Sequence, residues 1–282
     1  MSVPITGRNW GQMKISKMDI HLIPACCNRL FETEVTMKKF RALLMLATVA
    51  GLTIMTSSCA GEVKLGDHRL TESFEDVDAI KLVEAAWRGE AGEVERLVEG
   101  GVDVNTVGEG GVTPLMWALQ SKNLVGVEAL LKAGADPNLY VAAVGLPAIN
   151  FVAGGDEPEM LDLLLRYGGD PNNPGGGRIS ERPLSLAAMQ GRMRNASSLL
   201  AAGADLNAHD QYKRSAATQT LGPAHFELLA YFLEQGYSYD LEGLARGVTI
   251  RSVPEDSKAQ RWKLQVLEML RAQGVNMPEL RR

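Results

Sequence analysis

From residue 77 onward, short stretches with helical apolar spacing alternate with polar turns that contain glycine. The stretches VEALLKA, LDLLLRY and ASSLLAA each carry two adjacent leucines and end shortly before a glycine. These leucine pairs are Leu130-Leu131, Leu164-Leu165 and Leu199-Leu200. A helix with one apolar stripe has to bury that stripe against another element. The pattern therefore predicts an all-α fold built from pairs of short helices.

The glycine-containing turns recur at a nearly constant spacing. They read GVDVN, GADPN, GGDPN, GADLN, GYSYD and GVNMP, and their first glycines are Gly101, Gly134, Gly168, Gly203, Gly236 and Gly274. The steps between these glycines are 33, 34, 35, 33 and 38 residues. A period of this length indicates stacked repeats, because neighbouring repeats bury the apolar face that a single repeat cannot bury.

Proline and glycine mark the helix ends within these units. Upstream of three of the turns lie TPLMWA, LPAINF and RPLSLA, which place Pro114, Pro147 and Pro183 at the start of a helix. Proline is tolerated at the first helical position, where its missing N–H costs nothing. The glycine after each leucine pair can take the left-handed conformation that ends a helix. Each unit is therefore expected to contain two helices.

These units resemble the ankyrin repeat, in which a helix opened by Thr-Pro-Leu and a helix ending in Leu-Leu precede a Gly-Ala-Asp-x-Asn turn. The resemblance covers residues 77 to 276. It implies an all-α ankyrin-repeat solenoid of about five to six repeats, with the domain assigned to 77–282. The histidine that follows Thr-Pro-Leu in the family is replaced by Met116, Ile149 and Ser185, which predicts weaker bonding between adjoining loops.

The first and last units depart from the pattern. The first lacks Thr-Pro-Leu and is highly charged, as suits an N-terminal cap. The fifth has Ala216 in place of proline, and Gly222-Pro223 separates its two helices. The last contains an insertion near Pro254, followed by a helix that we expect to close the array. The residues expected on its closing face are Trp262, Leu264, Val266, Leu267 and Leu270.

Residues 37–58 have the organisation of an export signal. A basic start at Lys38, Lys39 and Arg41 leads into an apolar run and then small polar residues. The stretch resembles a bacterial lipoprotein signal, which implies lipidation of Cys59, although Thr56 departs from the aliphatic residue that the family prefers there. The apolar run is too short for a typical transmembrane helix, and a buried core helix would not need the basic flank. Residues 59–76 are expected to form a linker.

Residues 1–36 show no clear period and contain the unexplained pair Cys26-Cys27. One interpretation is that they are a non-native upstream extension, with Met37 as the true start. The other is that translation from an upstream methionine yields a second, cytoplasmic form. We favour the first.

The chain beginning at Cys59 is acidic, with 22 Lys and Arg against 31 Asp and Glu, and it has no further cysteine. A single terminal cysteine suits an oxidising compartment. The acidic balance argues against a nucleic-acid partner, since phosphate binding needs the opposite charge. A protein partner fits better.

Residues that could carry out chemistry are sparse. Common hydrolase, metalloprotease and phosphate-loop motifs are absent. The glycine-rich stretches at 108–111 and 174–177 fall where hairpin turns are expected, and the acidic stretch 156–159 is expected to be solvated. The histidines His68, His209 and His225 lie in different units, which argues against a metal site. We therefore predict no enzyme, no cofactor, no metal and no small-molecule substrate.

Ankyrin proteins commonly bind partners through a concave face made of hairpin tips and the exposed ends of the first helices. Carried over by position, the resemblance implies the contact residues Trp87, Arg88, Glu109, Gln120, Ser121, Tyr140, Val141, Arg178, Ile179, Met189, Gln190, Gln211, Tyr212 and Lys213. The apolar loop 138–145 is either a binding patch or a loop that folds back onto the next repeat. Trp117 and Phe151 are expected to be core residues.

Two functional hypotheses follow. The chain resembles ankyrin lipoproteins that act as immunity proteins beside phospholipase effectors of type VI secretion, which implies a cognate toxin as partner. It also resembles periplasmic ankyrin proteins that support a stress-defence enzyme such as a catalase. Both imply a lipid-anchored protein at the periplasmic face of the membrane, and we expect the outer membrane because Ala60 follows Cys59.

Overall fold

The computed structural model describes residues 64–65, 68–141, 146–176 and 181–277, all within the compact unit that spans 61–282. Several predicted features lie outside these described residues. They are the upstream segment 1–36, the signal peptide at 37–58, the lipidation site Cys59, and the contact residues Arg178 and Ile179.

The described residues form one short hairpin and thirteen α-helices. The strands are β1 (Lys64–Leu65) and β2 (His68–Arg69), which pair antiparallel with Leu65 opposite His68. The helices are α1 (Leu70–Ser73), α2 (Val77–Arg88), α3 (Ala91–Glu99), α4 (Pro114–Gln120), α5 (Leu124–Lys132), α6 (Ala148–Ala153), α7 (Pro158–Arg166), α8 (Pro183–Met189), α9 (Met193–Ala201), α10 (Ala216–Gln219), α11 (Phe226–Glu234), α12 (Leu241–Ile250) and α13 (Lys258–Ala272). Within the described ranges, none of these helices has both the length and the apolar character needed to cross a membrane.

The helices from α2 to α13 are arranged as successive pairs, and each pair forms one repeat. Leu130 and Leu164 are fully buried, while Leu165 and Leu200 are partly buried against the same core. The predicted all-α repeat fold is confirmed.

The second helix of each repeat ends in the same hydrogen-bonded cap. At the end of α5, Gly134 has a φ of 98°, and its N–H donates to the carbonyl of Leu131 at 3.1 Å. The next N–H, that of Ala135, donates to Leu130 at 2.9 Å. This pair of bonds satisfies carbonyls that the helix leaves unpaired, and the positive φ explains the glycine. The repeated glycines thus cap helices, as predicted.

Asparagine side chains connect each turn to the next repeat. Asn138 Nδ2 donates to the carbonyl of Gly168 at 2.8 Å, and Asn138 Oδ1 accepts from Asp170 N at 2.7 Å. Asn105 and Asn172 make the equivalent two bonds to their following repeats. Asn207 accepts from Ser238 N and Tyr239 N. We call these four asparagines the asparagine ladder, and they fix the spacing of the repeats.

The start of α6 corrects one predicted register. Thr113, Pro147 and Arg182 are the N-caps of α4, α6 and α8, so Pro147 lies one position earlier than Pro114 and Pro183 do in their helices. The residue equivalent to Met116 and Ser185 is therefore Asn150 and not Ile149. Proline fits both places, because the N–H that it lacks would have no intrahelical partner at either the N-cap or the first helical position.

Asn150 joins two neighbouring loop segments. It is fully buried, and its Nδ2 donates to the carbonyls of Asn173 at 3.1 Å and Glu181 at 2.8 Å. The weaker loop bonding predicted from Ile149 is thus wrong for this repeat, because a polar side chain occupies the position.

A short N-terminal segment packs on the first two repeats. Leu70 and Phe74 are 1% and 3% exposed and form a small apolar cluster with Ala79, Val83 and Trp117. Residues 70–74 are therefore part of the folded array, in contrast to the linker expected over 59–76. This segment has no periodic apolar pattern, because a single helical turn is too short to show one.

The C-terminal repeat closes the core largely as predicted. Val266 and Leu270 of α13 are fully buried, and Trp262 and Leu267 pack partly against the same core. Leu264 is 52% exposed, so its assignment to the closing face is wrong. It lies on the side of α13 that points away from α11 and α12.

The acidic stretch at 156–159 is more ordered than predicted. Asp156 pairs with Arg192, Glu157 pairs with Lys122, and Glu159 lies 3.0 Å from Arg194. These partners come from the repeats on both sides. Exposed pairs of this kind each contribute little to stability, but together they orient the α6–α7 turn between its neighbours.

Candidate partner-binding surface

The predicted contact residues within the described ranges differ in how far they are exposed. The most exposed large side chains are Tyr212 at 70%, Tyr140 at 47% and Met189 at 37%. The exposed polar or charged residues are Arg88, Glu109, Gln120, Gln190, Gln211 and Lys213. Trp87, Ser121 and Val141 are only partly exposed. The predicted contact residues therefore combine exposed aromatic and aliphatic side chains with exposed polar side chains.

The hairpin tip at 210–214 holds Tyr212 in a defined position. Asp210 Oδ1 accepts hydrogen bonds from the backbone N–H groups of Tyr212 and Arg214, each at 2.9 Å. Asp210 Oδ2 accepts from Arg214 Nε at 2.6 Å, and the Arg214 guanidinium carbon lies 5.3 Å from the centre of the Tyr212 ring. An exposed tyrosine on an ordered tip loses little conformational entropy when a partner binds.

The same hydrogen bonds lower the pKa of Asp210. Desolvation pushes the pKa of Asp210 upward, but the bonds from Arg214 and from the Tyr212 backbone outweigh it and hold the pKa below its ordinary value. The carboxylate that orders the tip is therefore stabilised in its charged form.

The base of this tip is also well packed. The His209 ring stacks on Tyr239 with 3.6 Å between ring centres, and its Nδ1 lies 3.0 Å from the Asn207 carbonyl. Ser215 Oγ and Tyr237 OH are 2.9 Å apart in the interior, where burial raises the pKa of Tyr237. These contacts make His209 a structural residue of the tip.

Phe151 is the main correction to the predicted core. Its side chain is 51% exposed, whereas Trp117 is fully buried as predicted. Phe151 and Trp117 occupy equivalent places, each four residues after the N-cap of its helix. The difference has a local cause: Leu70 and Phe74 cover Trp117, and no described residue of that segment reaches Phe151.

Phe151 borders a groove between the second, third and fourth helix pairs. The groove has a volume of about 380 Å³. Its walls include Gln120, Leu146, Phe151, Leu186 and Gln190; these five residues are called the central groove below. Two of them, Gln120 and Gln190, belong to the predicted contact set. The others were missed.

The described residues offer little basis for catalysis or metal binding. Among them, no group of three or more His, Cys, Asp or Glu side chains is placed to hold a metal ion. The glycine-rich stretch at 108–111 forms a hairpin tip with a 3-10 turn at Glu109–Gly111. His225 is the N-cap of α11 and packs beside Gly191. The described residues thus present exposed side chains suited to contacts with a partner.

Comparison with known proteins identifies the repeat. Residues 110–141 match the family model described as ankyrin repeat. The chain is 33% identical over 179 residues to Protein PhlB of Serratia liquefaciens. The aligned region covers 60% of this chain and 71% of PhlB. The chain belongs to the ankyrin-repeat family. Members of this family typically act as protein-interaction modules.

Two other relatives share a smaller part of their length with this ankyrin-repeat chain. It is 32% identical over 184 residues to the ankyrin repeat protein nuc-2 of Neurospora crassa, covering 61% of this chain and 17% of nuc-2. It is 43% identical over 81 residues to the human mitochondrial disaggregase, covering 29% of this chain and 11% of that protein. The chain therefore spans only a small fraction of these two relatives.

A sequence signal for the central groove exists, but it is indirect. The ankyrin register can be set from the glycine that caps each second helix instead of from proline: Trp117 lies 17 residues before Gly134, and Phe151 lies 17 residues before Gly168. Alignment alone would still not separate the two, because their exposure depends on residues 70–74, which lie outside the repeats.

Proposed function

We propose that this ankyrin-repeat protein is a membrane-anchored protein-binding module of the periplasm. We further propose that it is the immunity protein of a phospholipase effector of type VI secretion. The observation that carries the binding role is the row of exposed apolar side chains on the tips and first helices, with Tyr212 held in place by Asp210 and Arg214.

The chemistry of these residues suits a protein partner. Tyrosine, tryptophan and arginine dominate the energetics of protein interfaces, and the surface offers Tyr140, Phe151 and Tyr212 in exposed positions. The acidic character of the chain after Cys59 favours a partner with a basic surface. Both features support capture of a folded protein.

The compartment and the toxin are proposed from the sequence resemblance. A lipoprotein signal at 37–58 with lipidation at Cys59 would hold the array at the membrane, where a phospholipase attacks. Anchoring raises the local concentration of the array near its target without adding any contact. This accounts for the combination of a lipid anchor with a binding surface.

The proposal is tested by expressing the chain with a lipase-type toxin encoded beside it and scoring survival. The chain should rescue the cells and should co-purify with the toxin. Tyr212→Ala should weaken binding by about 2 kcal/mol if the ring is a hot spot. Ile250→Ala is the matched control, because Ile250 is 81% exposed and lies at the end of α12.

Other outcomes would redirect the proposal. Cys59→Ser should remove the chain from membrane fractions and reduce survival, while affinity in solution stays unchanged. Recovery of a peroxide-handling enzyme with its activity intact would favour the helper function. Toxin binding that is unaffected by Tyr212→Ala would remove the 210–214 tip from the interface.

A further inference from the structure

Two sets of equivalent positions on the first helices differ in their cover: one is covered by a segment of the chain, and the other borders an open groove. In the first, Trp117 lies with Val112 and Trp87 around Leu70 and Phe74. In the second, Phe151 lies with Leu146 and Gln120 around an open volume of about 380 Å³.

Three of the residues around each site have equivalent positions in the repeat. Val112 and Leu146 each precede the N-cap of a first helix, and Trp117 and Phe151 each lie four residues after it. Trp87 and Gln120 each lie four residues before the start of the second helix. The chain thus shows, within one molecule, what kind of segment fills a groove of this geometry.

The segment that fills the first groove is a single helical turn followed by an aromatic residue. Leu70 begins α1, and Phe74 follows it, with Phe74 N donating to the Leu70 carbonyl at 3.1 Å. Residues four apart on a helix lie on one face. Leu70 and Phe74 therefore enter the groove together, and both become buried.

The open groove has polar residues at its floor and its walls. Asn150 lines it, and Asn150 Oδ1 is one of the buried polar atoms without a hydrogen-bond partner among the described residues. An unpaired buried acceptor is unfavourable by about 1–3 kcal/mol. Asn150 is fully buried, so the polar side chains that a bound segment can reach include the exposed Gln120 and Gln190.

We infer that the central groove receives a short helical segment of the partner protein that carries leucine and phenylalanine, or side chains of similar size, four residues apart. This inference rests on the proposed protein-binding function and specifies the contact chemistry of the partner. An amphipathic helix that lays its apolar face into an apolar groove is a recurring mode of peptide recognition.

The test uses a synthetic lysine-rich helical peptide with leucine and phenylalanine four residues apart, titrated into the full chain with labelled methyl groups. The methyl resonances of Leu146 and Leu186 should shift and saturate. A peptide with alanine at both apolar positions should cause no saturable shift. Methyl shifts report weak binding, so even millimolar affinity is measurable.

Two variants assign the binding to the groove. Phe151→Ala should lower the affinity of the chain for the peptide by about tenfold, which corresponds to about 1.4 kcal/mol of binding free energy. Its unfolding transition should stay close to that of the native chain, because half of the side chain is already exposed. Ile250→Ala should leave peptide binding unchanged.

Three results would overturn the inference: no saturable shift at Leu146 and Leu186, equal shifts with the alanine peptide, or unchanged affinity in Phe151→Ala. The peptide test is independent of the toxin. If the peptide binds the groove and no lipase-type toxin is captured, only the immunity function fails. If a toxin is captured and Phe151→Ala does not change the affinity for the toxin, only the assignment of the central groove as the binding site fails.

Discussion

The second and third repeats present the same structural position in opposite environments. Trp117 in the second repeat is fully buried, and Phe151 in the third is 51% exposed. The helices that carry them begin in the same register, and both repeats end in the same glycine cap. Among the described residues, an outside segment packs on that position only in the second repeat, where Leu70 and Phe74 lie against Trp117.

The comparison shows that a repeat does not by itself decide which of its residues are core. The inter-repeat interface buries the leucine of each second helix whichever repeat is considered. The outer position of the first helix becomes core or surface according to what else lies on it. An aromatic residue at that position is therefore ambiguous until its cover is known.

The largest expected effect separates these two aromatics. Trp117→Ala should lower the free energy of unfolding by about 3–5 kcal/mol, the range for removing a large buried aromatic side chain. Phe151→Ala should change it by less than about 1 kcal/mol, because less surface is buried there. Chemical denaturation of both variants measures the difference. Equal losses would mean that Phe151 is covered in solution.

A substitution at the buried leucine of a second helix should strongly lower the free energy of unfolding in either repeat. Leu164 is fully buried in the third repeat, and Leu164→Ala should lower the free energy of unfolding by about 2–5 kcal/mol. Leu264→Ala, at a half-exposed leucine of α13, is the control and should have little effect. A small loss at Leu164 would indicate that the repeats are loosely stacked.

The asparagine ladder links the same two repeats through polar groups. Asn138→Ala removes the two hydrogen bonds to Gly168 and Asp170, and each such bond is worth about 0.5–1.5 kcal/mol net. A total loss of about 1–3 kcal/mol is expected in thermal or chemical unfolding. Gln211→Ala, at an exposed tip position, should be neutral. A neutral Asn138→Ala would assign repeat spacing to apolar packing alone.

The smallest expected effect depends on pH. Tyr167 OH donates to Glu128 Oε1 at 2.9 Å across the second and third repeats, and this bond, followed by Lys132, lowers the pKa of Glu128. A carboxyl group with a lowered folded pKa adds stability above its unfolded pKa and loses it as pH falls through the folded pKa. The Tyr167→Phe variant should therefore have a lower free energy of unfolding than the native chain near neutral pH. The difference in unfolding free energy between the two should become smaller as the pH is lowered. A difference that is constant with pH would contradict this assignment.

The repeat architecture was predictable because its signals are local and recurrent. Gly134, Gly168 and Gly203 mark helix ends through a conformation that other residues rarely adopt. Because such glycines recur at a nearly constant spacing, the same helix end can be recognised in each repeat. The exact register of α6 was not predictable from Pro147, because proline is acceptable both at the N-cap and at the first helical position. The capping glycine that follows each helix pair is the better guide to register, because its distance from the N-cap of the first helix is the same in these repeats.

The candidate surface was predictable only in part. Tyr140, Met189 and Tyr212 are exposed as the ankyrin resemblance implied. The exposure of Phe151 and the burial of Trp117 depend on a contact between residues 70–74 and a distant helix. Single-sequence patterns do not reveal such contacts, because neither partner has a repeating signal.

The asparagine ladder also explains where the repeats differ in length. The stretch from Asn138 to Pro147 is one residue longer than the stretch from Asn105 to Thr113, and the stretch from Asn172 to Arg182 is two residues longer. The helices α3, α5, α7, α9 and α11 that follow keep one length. In the second to fifth helix pairs, insertions are thus confined to the hairpin tips, downstream of the ladder bonds and upstream of the next helix. The last pair differs, because its insertion near Pro254 lies between α12 and α13. The tips can therefore diversify in evolution and acquire new specificities without any change in the stacked helices.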